Sequence, residues 1–256
     1  MYAARGALRL IAMVTVVALL ALSLLLTGWI PYRRAGVHHA GLQASFVGGL
    51  LLRILGIPVQ WDQPERFQAH RGFIFPNHTS FVDALIMASI TPVRFLAKAE
   101  IARWPAVGTI GRSIGVIFVQ RDDKASRTAA RNALAHVAQF PPIVLFPEGG
   151  ILSPDRLHPF RYGAFEIAVQ GGFSILPCLI TYNEPYAVFW GDESIWSAAW
   201  RMLTRRTPIV ARVTPLRVIH PEPDDDPQQL AIQTHGAMDA LRRSLGGADD
   251  VILPGL

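Results

Sequence analysis

Residues 72–90 read Gly-Phe-Ile-Phe-Pro-Asn-His-Thr-Ser-Phe-Val-Asp-Ala-Leu-Ile-Met-Ala-Ser-Ile, and this stretch decides the fold. Phe73–Phe75 is a short apolar run bounded by Gly72 and Pro76, the pattern of a buried strand. Ser80–Ile90 then carries helical spacing, with Thr79 and Ser80 as natural caps for its start. A strand that runs through a polar turn into a helix is the repeating unit of an α/β domain.

The alternation continues in both directions. Val93–Ala97, Val116–Val119, Ile143–Phe146, Ile175–Thr181 and Val210–Ile219 are predicted strands. Lys124–Gln139, Ala164–Gln170, Trp196–Thr204 and Gln228–Ser244 are predicted helices. Residues 221–227, Pro-Glu-Pro-Asp-Asp-Asp-Pro, form a proline-punctuated loop before the last of them. The expected architecture is α/β: a single, mostly parallel central sheet with flanking helices, residues 58–256, preceded by N-terminal membrane helices in residues 1–57.

Those first residues hold much of the apolar excess. The 256-residue chain is 51% hydrophobic and only 17% charged, with a mean hydropathy of +0.29, shifted from an average soluble domain toward a membrane protein. The low charge excludes a disordered chain. From Leu10 to Tyr32 no charged residue occurs. As a helix this run reaches about 35 Å, enough to cross a hydrocarbon core of about 30 Å. Trp29 and Tyr32 mark a headgroup layer at one end. The run is longer than a signal-peptide core, and Leu24-Leu25-Leu26-Thr27-Gly28-Trp29 is a poor cleavage site, so a retained anchor is expected. Arg5 and Arg9 before the run balance Arg33 and Arg34 after it, so flanking charge assigns no orientation. A second apolar stretch, Ala44–Leu52 extending to Ile57, reads either as an interfacial helix or as the first buried helix of the globular domain.

Net charge is +5, and of the 24 basic residues only Lys98 and Lys124 are lysines. This balance suits anionic surfaces. The basic residues are dispersed without aromatic platforms, so no nucleic-acid partner is expected. Arg201, Arg205, Arg206, Arg242 and Arg243 read as a solvated surface, with anionic headgroups as the other partner to consider. A single cysteine, Cys178, permits neither an intrachain disulfide nor a CxxC metal site, which fits a cytosol-like compartment.

Four segments carry candidate chemistry. His78 and Asp83 are five apart, so on one helix they would point about 140° away from each other. They meet only if His78 precedes the helix and Asp83 lies in its first turns. Asp83 would then fix the imidazole tautomer and leave the other ring nitrogen free to take a proton. His220 and Asp225 share the spacing but lie in the proline-rich loop, where nothing would orient the ring. Gly115-Val116-Ile117-Phe118-Val119-Gln120-Arg121 ends a strand on a cation, where ligands bind in open α/β sheets. Val144-Leu145-Phe146-Pro147-Glu148-Gly149-Gly150 runs a strand into a turn whose glycines admit close backbone approach, with Glu148 able to hold a hydroxyl. Phe160-Arg161-Tyr162-Gly163-Ala164-Phe165 leads a helix toward the strand containing Leu176-Pro177.

In this order the blocks resemble the glycerolipid acyltransferase superfamily, with bacterial 1-acyl-sn-glycerol-3-phosphate acyltransferases and related lysolipid O-acyltransferases as the nearest likeness. The resemblance covers roughly residues 60–220, and Phe95-Leu96-Ala97-Lys98-Ala99-Glu100 also fits it. It implies transfer of an acyl chain from acyl-CoA or acyl-carrier protein to a lysolipid hydroxyl, in phospholipid biosynthesis. No bound cofactor and no metal are implied, since the thioester supplies the driving force. His78 would be the general base and Asp83 its orienter, with backbone N–H groups stabilising the oxyanion. Asn77, Lys98, Phe118, Arg121, Glu148, Gly149, Gly150 and Arg161 would form the substrate-binding set. The implied partners are membrane lipids and the acyl donor; the implied place is a membrane, the bacterial inner membrane, with the catalytic domain on its cytoplasmic side.

There is one departure. The family's third block continues Glu-Gly-Thr-Arg, whereas this chain reads Glu148-Gly149-Gly150-Ile151. An isoleucine where a cation would clamp phosphate points to a second acceptor class, lyso-ornithine lipid or another lysolipid without a terminal phosphate. A rival chemistry comes from Gly111-Arg112-Ser113-Ile114-Gly115, the G-x-S-x-G of serine lipases and esterases, which requires a strand before Ser113 and a helix after it.

Overall fold

In the computed structural model the described residues are 2–104, 106–120, 134, 138–191 and 193–246. Strands β3 (Val59–Trp61), β4 (Phe73–Pro76), β5 (Arg94–Lys98), β6 (Ile117–Val119), β7 (Ile143–Val144), β8 (Ile175–Tyr182) and β9 (Ala211–Pro215) form one sheet in the order β3-β9-β8-β4-β7-β5-β6. From β8 to β6 every neighbouring pair is parallel. β9 runs antiparallel to β8, and β3 lies parallel to β9. The mostly parallel sheet read from the alternation is therefore present, with an antiparallel edge.

Alternation along β4 explains the two core layers. Phe73 and Phe75 face one layer, with Ile143, Phe165, Ile175 and Leu134. Ile74 faces the other, with Leu52, Leu55, Ile86, Met87, Ile180 and Tyr182. Every residue of β4 is buried, as expected of a strand covered on both faces. Burial of each such side chain contributes about 1.5–3 kcal/mol. Helices α4 (Val82–Ile90) and α6 (Gly163–Gly171) begin and end close to the expected bounds. So do α8 (Ile195–Thr204) and α9 (Pro227–Gly246). The helix expected over Lys124–Gln139 falls mostly outside the described residues.

Several short elements escape the periodicity. Pro64–Ala69 (α3) and Pro185–Val188 (α7) are single turns begun by proline. Val107–Ser113 (α5) is a short helix that contains Gly108 and Gly111. Those glycines serve close packing: a Cβ on Gly108 would lie 2.1 Å from the Ala102 carbonyl oxygen, and one on Gly111 would lie 2.9 Å from the Phe118 ring. Ser113 ends α5 and is followed by β6, the reverse of a nucleophile elbow, and its Oγ donates to the Thr109 carbonyl at 3.0 Å.

The N-terminal helix α1 (Tyr2–Thr27) has the length and apolar composition to cross a membrane. One stripe, including Leu20 and Leu24, packs against the body of the protein, while Leu8, Ile11, Val14, Leu22 and Leu25 are exposed. A hairpin of β1 (Arg33–Arg34) and β2 (Val37–His38), turned at Ala35 and Gly36 with positive φ at both, leads to α2 (His39–Leu55). His38 Nδ1 caps α2 by accepting from Ala40 N at 3.2 Å. The buried face of α2 lies on α4, where a Cβ on Gly48 would sit 3.3 Å from the Leu85 carbonyl, and Phe46 projects outward. The second apolar stretch is thus packed on the globular domain along one face and exposes apolar surface on another.

Two residues that set the start of β4 generate predictions. Gly72 has φ +106°, and a Cβ there would approach the Ser174 carbonyl oxygen to 2.4 Å. Gly72→Ala is expected to lower the unfolding free energy by about 2 kcal/mol or more, read by chemical denaturation. His70 is buried, with Nε2–H donating to the Phe73 carbonyl at 2.8 Å. Burial holds its pKa below the usual 6.5, against the opposing effect of that carbonyl. The unfolded chain takes up this proton first as pH falls, so His70 removes stability below pH 6.5. A His70→Gln variant is expected to lose less stability than the parent between pH 7 and about pH 5 in paired denaturation curves.

Candidate active site

The carboxyl ends of β4, β5, β6 and β7 lie at one end of the sheet, where open α/β sheets bind ligands. After β4 the chain turns through Asn77–Ser80 and enters α4 at Val82, so His78 precedes the helix and Asp83 sits in its first turn. His78 Nδ1–H donates to Asp83 Oδ2 at 3.0 Å. The same oxygen accepts from the backbone N–H groups of Thr79 and Ser80, both at 2.8 Å. Asp83 Oδ1 accepts from the Tyr182 hydroxyl at the end of β8. Asp83 is fully buried, and these four donors leave its carboxylate one orientation.

This arrangement also changes the expected cap. The residue before α4 is Phe81, which makes no side-chain cap bond. Ser80 Oγ accepts from Val82 N at 3.3 Å, and Asp83, the second residue of α4, reaches back to accept from the turn. Thr79 contributes its backbone N–H to Asp83.

The His78 ring is stacked on Phe146, with centroids 3.8 Å apart and planes at 16°. Its side chain is 16% exposed, and among the described residues Nε2 has no hydrogen-bond partner. One ring nitrogen is thus held by a carboxylate while the other is available for proton transfer. Burial pushes the Tyr182 phenol well above its usual pKa, reinforced by Asp83, so Tyr182 stays a neutral donor. Cys178, on the same strand, is likewise pushed up by burial and then by Asp83, which leaves it an inert thiol.

Glu148 locks the third block onto this turn. Its Oε1 accepts from His78 N at 2.7 Å and its Oε2 from His158 N at 3.1 Å, while Leu152 N donates to the His78 carbonyl at 3.2 Å. Burial raises its pKa, opposed by the two amide bonds. Glu148, expected to hold a substrate hydroxyl, is instead turned inward as a brace between two loops. The N–H groups of residues 78, 79 and 80 all point into Glu148 and Asp83, so none of them is turned toward a substrate oxyanion.

Asn77 is also directed inward. Its Oδ1 accepts from Ile180 N at 2.7 Å and its Nδ2 donates to the Ile180 carbonyl at 3.0 Å, adding a rung to the β4–β8 ladder after β4 has turned away. Gly149 has φ +81°, and a Cβ there would lie 2.3 Å from Arg161 Nε, so Arg161 rests directly on the glycine. A Cβ on Gly150 would meet nothing within 4 Å. Lys98 is exposed at the end of β5, and Phe118 lies in β6 opposite Ala97. Arg121 lies outside the described residues. His220 is exposed, and Asp225 Oδ2 instead accepts from Glu222 N at 2.8 Å, so the second His-x4-Asp pair is not assembled. Among the described residues no three His, Cys, Asp or Glu side chains converge as a metal site requires.

Sequence reasoning did not find Tyr182, nor the ring platform of Phe146. Cys178, Ile180 and Tyr182 alternate onto the face that carries α4, which is the signal that could have pointed to Tyr182. Asn77→Ala leaves the Ile180 N–H and carbonyl unpaired in a buried ladder. It is expected to lower the unfolding free energy by about 2–4 kcal/mol, checked by denaturant titration.

The family model described as Acyltransferase matches residues 58–181. The lyso-ornithine lipid O-acyltransferase of Pseudomonas aeruginosa is 27% identical over 178 residues, 67% of this chain and 66% of that protein. The 1-acyl-sn-glycerol-3-phosphate acyltransferase of Neisseria meningitidis is 25% identical over 166 residues, 62% of this chain and 65% of that protein. The chain thus spans just under two thirds of the length of these curated relatives. The crystal structure of the 1-acyl-sn-glycerophosphate acyltransferase PlsC from Thermotoga maritima superposes with a TM-score of 0.74 at 17% identity, covering 96% of this chain and 98% of that one, a likeness of fold. The resemblance to the glycerolipid acyltransferase superfamily drawn from the ordered blocks is borne out.

Proposed function

We propose that this chain, whose residues 58–181 match the Acyltransferase family model, transfers an acyl group from a thioester donor to the free hydroxyl of a lysolipid, with His78 as general base. The observation that carries this reading is the His78–Asp83 bond at 3.0 Å, with Nε2 left unpartnered among the described residues. Nε2 takes the proton of the lysolipid hydroxyl as its oxygen attacks the thioester carbonyl. Asp83 stabilises the imidazolium that forms, and the proton then passes to the departing thiolate as the tetrahedral intermediate collapses. The products are an acylated lipid and the free thiol of coenzyme A or of acyl-carrier protein. α1 and α2, with their exposed apolar faces, would seat the domain on a membrane, where acceptor and product both reside.

The acceptor favoured by the ordered blocks is 1-acyl-sn-glycerol-3-phosphate, its phosphate facing Lys98, Arg121 and Arg161. The pair Gly150-Ile151 favours a second reading, because no cation follows Gly149 and the space beside Gly150 is open. In that reading the acceptor lacks a terminal phosphate, as in lyso-ornithine lipid, the substrate class in the name of the Pseudomonas relative.

Detergent-solubilised full chain given labelled acyl-CoA or acyl-carrier protein, and a panel of lysolipids, tests the proposal. Transfer to at least one lysolipid is expected, with about a 10²–10⁴-fold loss of rate in His78→Ala and none in Ser113→Ala. Loss on Ser113→Ala with retention in His78→Ala would replace it with a serine-nucleophile mechanism. An Ile151→Arg variant is expected to shift preference toward phosphate-bearing acceptors.

A further inference from the structure

Several arginines pair with carboxylates. Arg201 pairs with Glu193, Arg212 with Asp62, and Arg242 and Arg243 with Asp239. Arg5, Arg9, Arg205 and Arg206 gather at one place and pair with no carboxylate among the described residues. Arg205 Nη1 donates to the Met202 carbonyl at 2.8 Å, and its Nη2 to the carbonyls of Leu55 at 2.7 Å and Gly56 at 2.8 Å. Its Nε is buried with no hydrogen-bond partner among the described residues. Arg9 Nη1 donates to the Leu203 carbonyl at 3.3 Å, and Arg5 donates to the Arg205 carbonyl. The Arg206 guanidinium lies over the Tyr2 ring at 4.4 Å, and that of Arg5 over the same ring at 5.4 Å.

Most of the carbonyls belong to the last turns of α2 and α8, so part of this charge complements helix dipoles. The complement is incomplete. Each helix end carries about half a negative charge, so two ends leave roughly three of the four positive charges uncompensated. The guanidiniums also oppose one another: burial, then Arg9 and Arg5, lower the Arg205 pKa to about 10. Between them is an open surface depression of about 180 Å³, lined also by Gly56, Thr207 and Pro208. It has room for about six water molecules.

Its position gives the ligand's source. Residues 205–208 lead into β9 and Gly56 leads into β3, which puts the depression at the sheet end where Tyr182 pairs with Ala211. The exposed apolar face of α1 begins at Leu8, between Arg5 and Arg9. On α8, Trp196 and Trp200 are exposed, the amphipathic rings that favour a headgroup layer. The cations therefore lie where an apolar surface gives way to a polar one.

We propose that Arg5, Arg9, Arg205 and Arg206 form a phosphate site for the headgroup of an anionic bilayer phospholipid, separate from the His78 site. Planar guanidiniums suit phosphate oxygens. The bound lipid anchors the start of α1 to the ends of α2 and α8. The site shares no residue with the acyl-transfer machinery, so its test does not depend on that reaction.

Delipidated full chain in neutral detergent is titrated with dioctanoyl phosphatidylglycerol, dioctanoyl phosphatidylcholine or inorganic phosphate, and binding is read by native mass spectrometry and thermal melting. The parent is expected to bind phosphatidylglycerol at least about tenfold more tightly than phosphatidylcholine. Most of that preference should vanish in Arg5→Gln/Arg206→Gln and persist in His78→Ala. If the double variant fails to fold, Arg206→Gln alone carries the test, since its guanidinium rests on the Tyr2 ring. Equal binding of the two lipids, or an undiminished preference in the arginine variant, would overturn the proposal. Inorganic phosphate matching phosphatidylglycerol would also overturn it, making the ligand a free anion.

Discussion

A single buried carboxylate organises the working end of the molecule. Asp83 accepts from His78, from the N–H groups of Thr79 and Ser80, and from the Tyr182 hydroxyl. Those donors come from the turn after β4 and from the end of β8, so one side chain joins a loop, a helix and a strand. Away from water such a group is tolerable only when its acceptor positions are filled. The turn therefore has one conformation, and the imidazole has one tautomer and one plane. Glu148 repeats the device from the neighbouring loop by holding the N–H of His78 and of His158.

The sheet makes these contacts possible. Parallel pairing of β8, β4, β7, β5 and β6 gathers their carboxyl ends, and with them His78, the Phe146–Gly150 turn and Lys98, at one end. The antiparallel edge has the complementary effect. Because β9 opposes β8, the segment that enters β9 arrives at this same end, carrying Arg205 and Arg206. β3 follows β9, so Gly56 and the end of α2 arrive there as well. A carboxylate-bound imidazole and a cluster of cations thus occupy one end of the molecule, with the apolar faces of α1 and α2 alongside.

Much of the fold was legible because periodicity is local. The strands around Phe73–Pro76 and Ile175–Tyr182 are dense in apolar residues, and α6, α8 and α9 have the spacing their packing requires. Helix α5 escaped that reading: its Gly108 and Gly111 are glycines because Ala102 and Phe118 come too close for a side chain. At the site, the spacing of His78 and Asp83 was informative, whereas Asn77 and Glu148 bear polar groups whose direction no spacing reveals. Both were expected to face a ligand and both face the backbone.

By itself the sequence determined the alternation of strands and helices, the apolar N-terminal segment, the order of the blocks and the offset that lets an imidazole meet a carboxylate. Each of these is set by neighbours within a few residues of one another. Tertiary structure decided the partners. Tyr182 reaches Asp83 across 99 residues, Glu148 reaches His78 across 70, and Arg5 reaches Arg205 across 200. Such pairings follow from the order of strands in the sheet. That order is selected by how whole faces bury against one another, and local propensity does not record it.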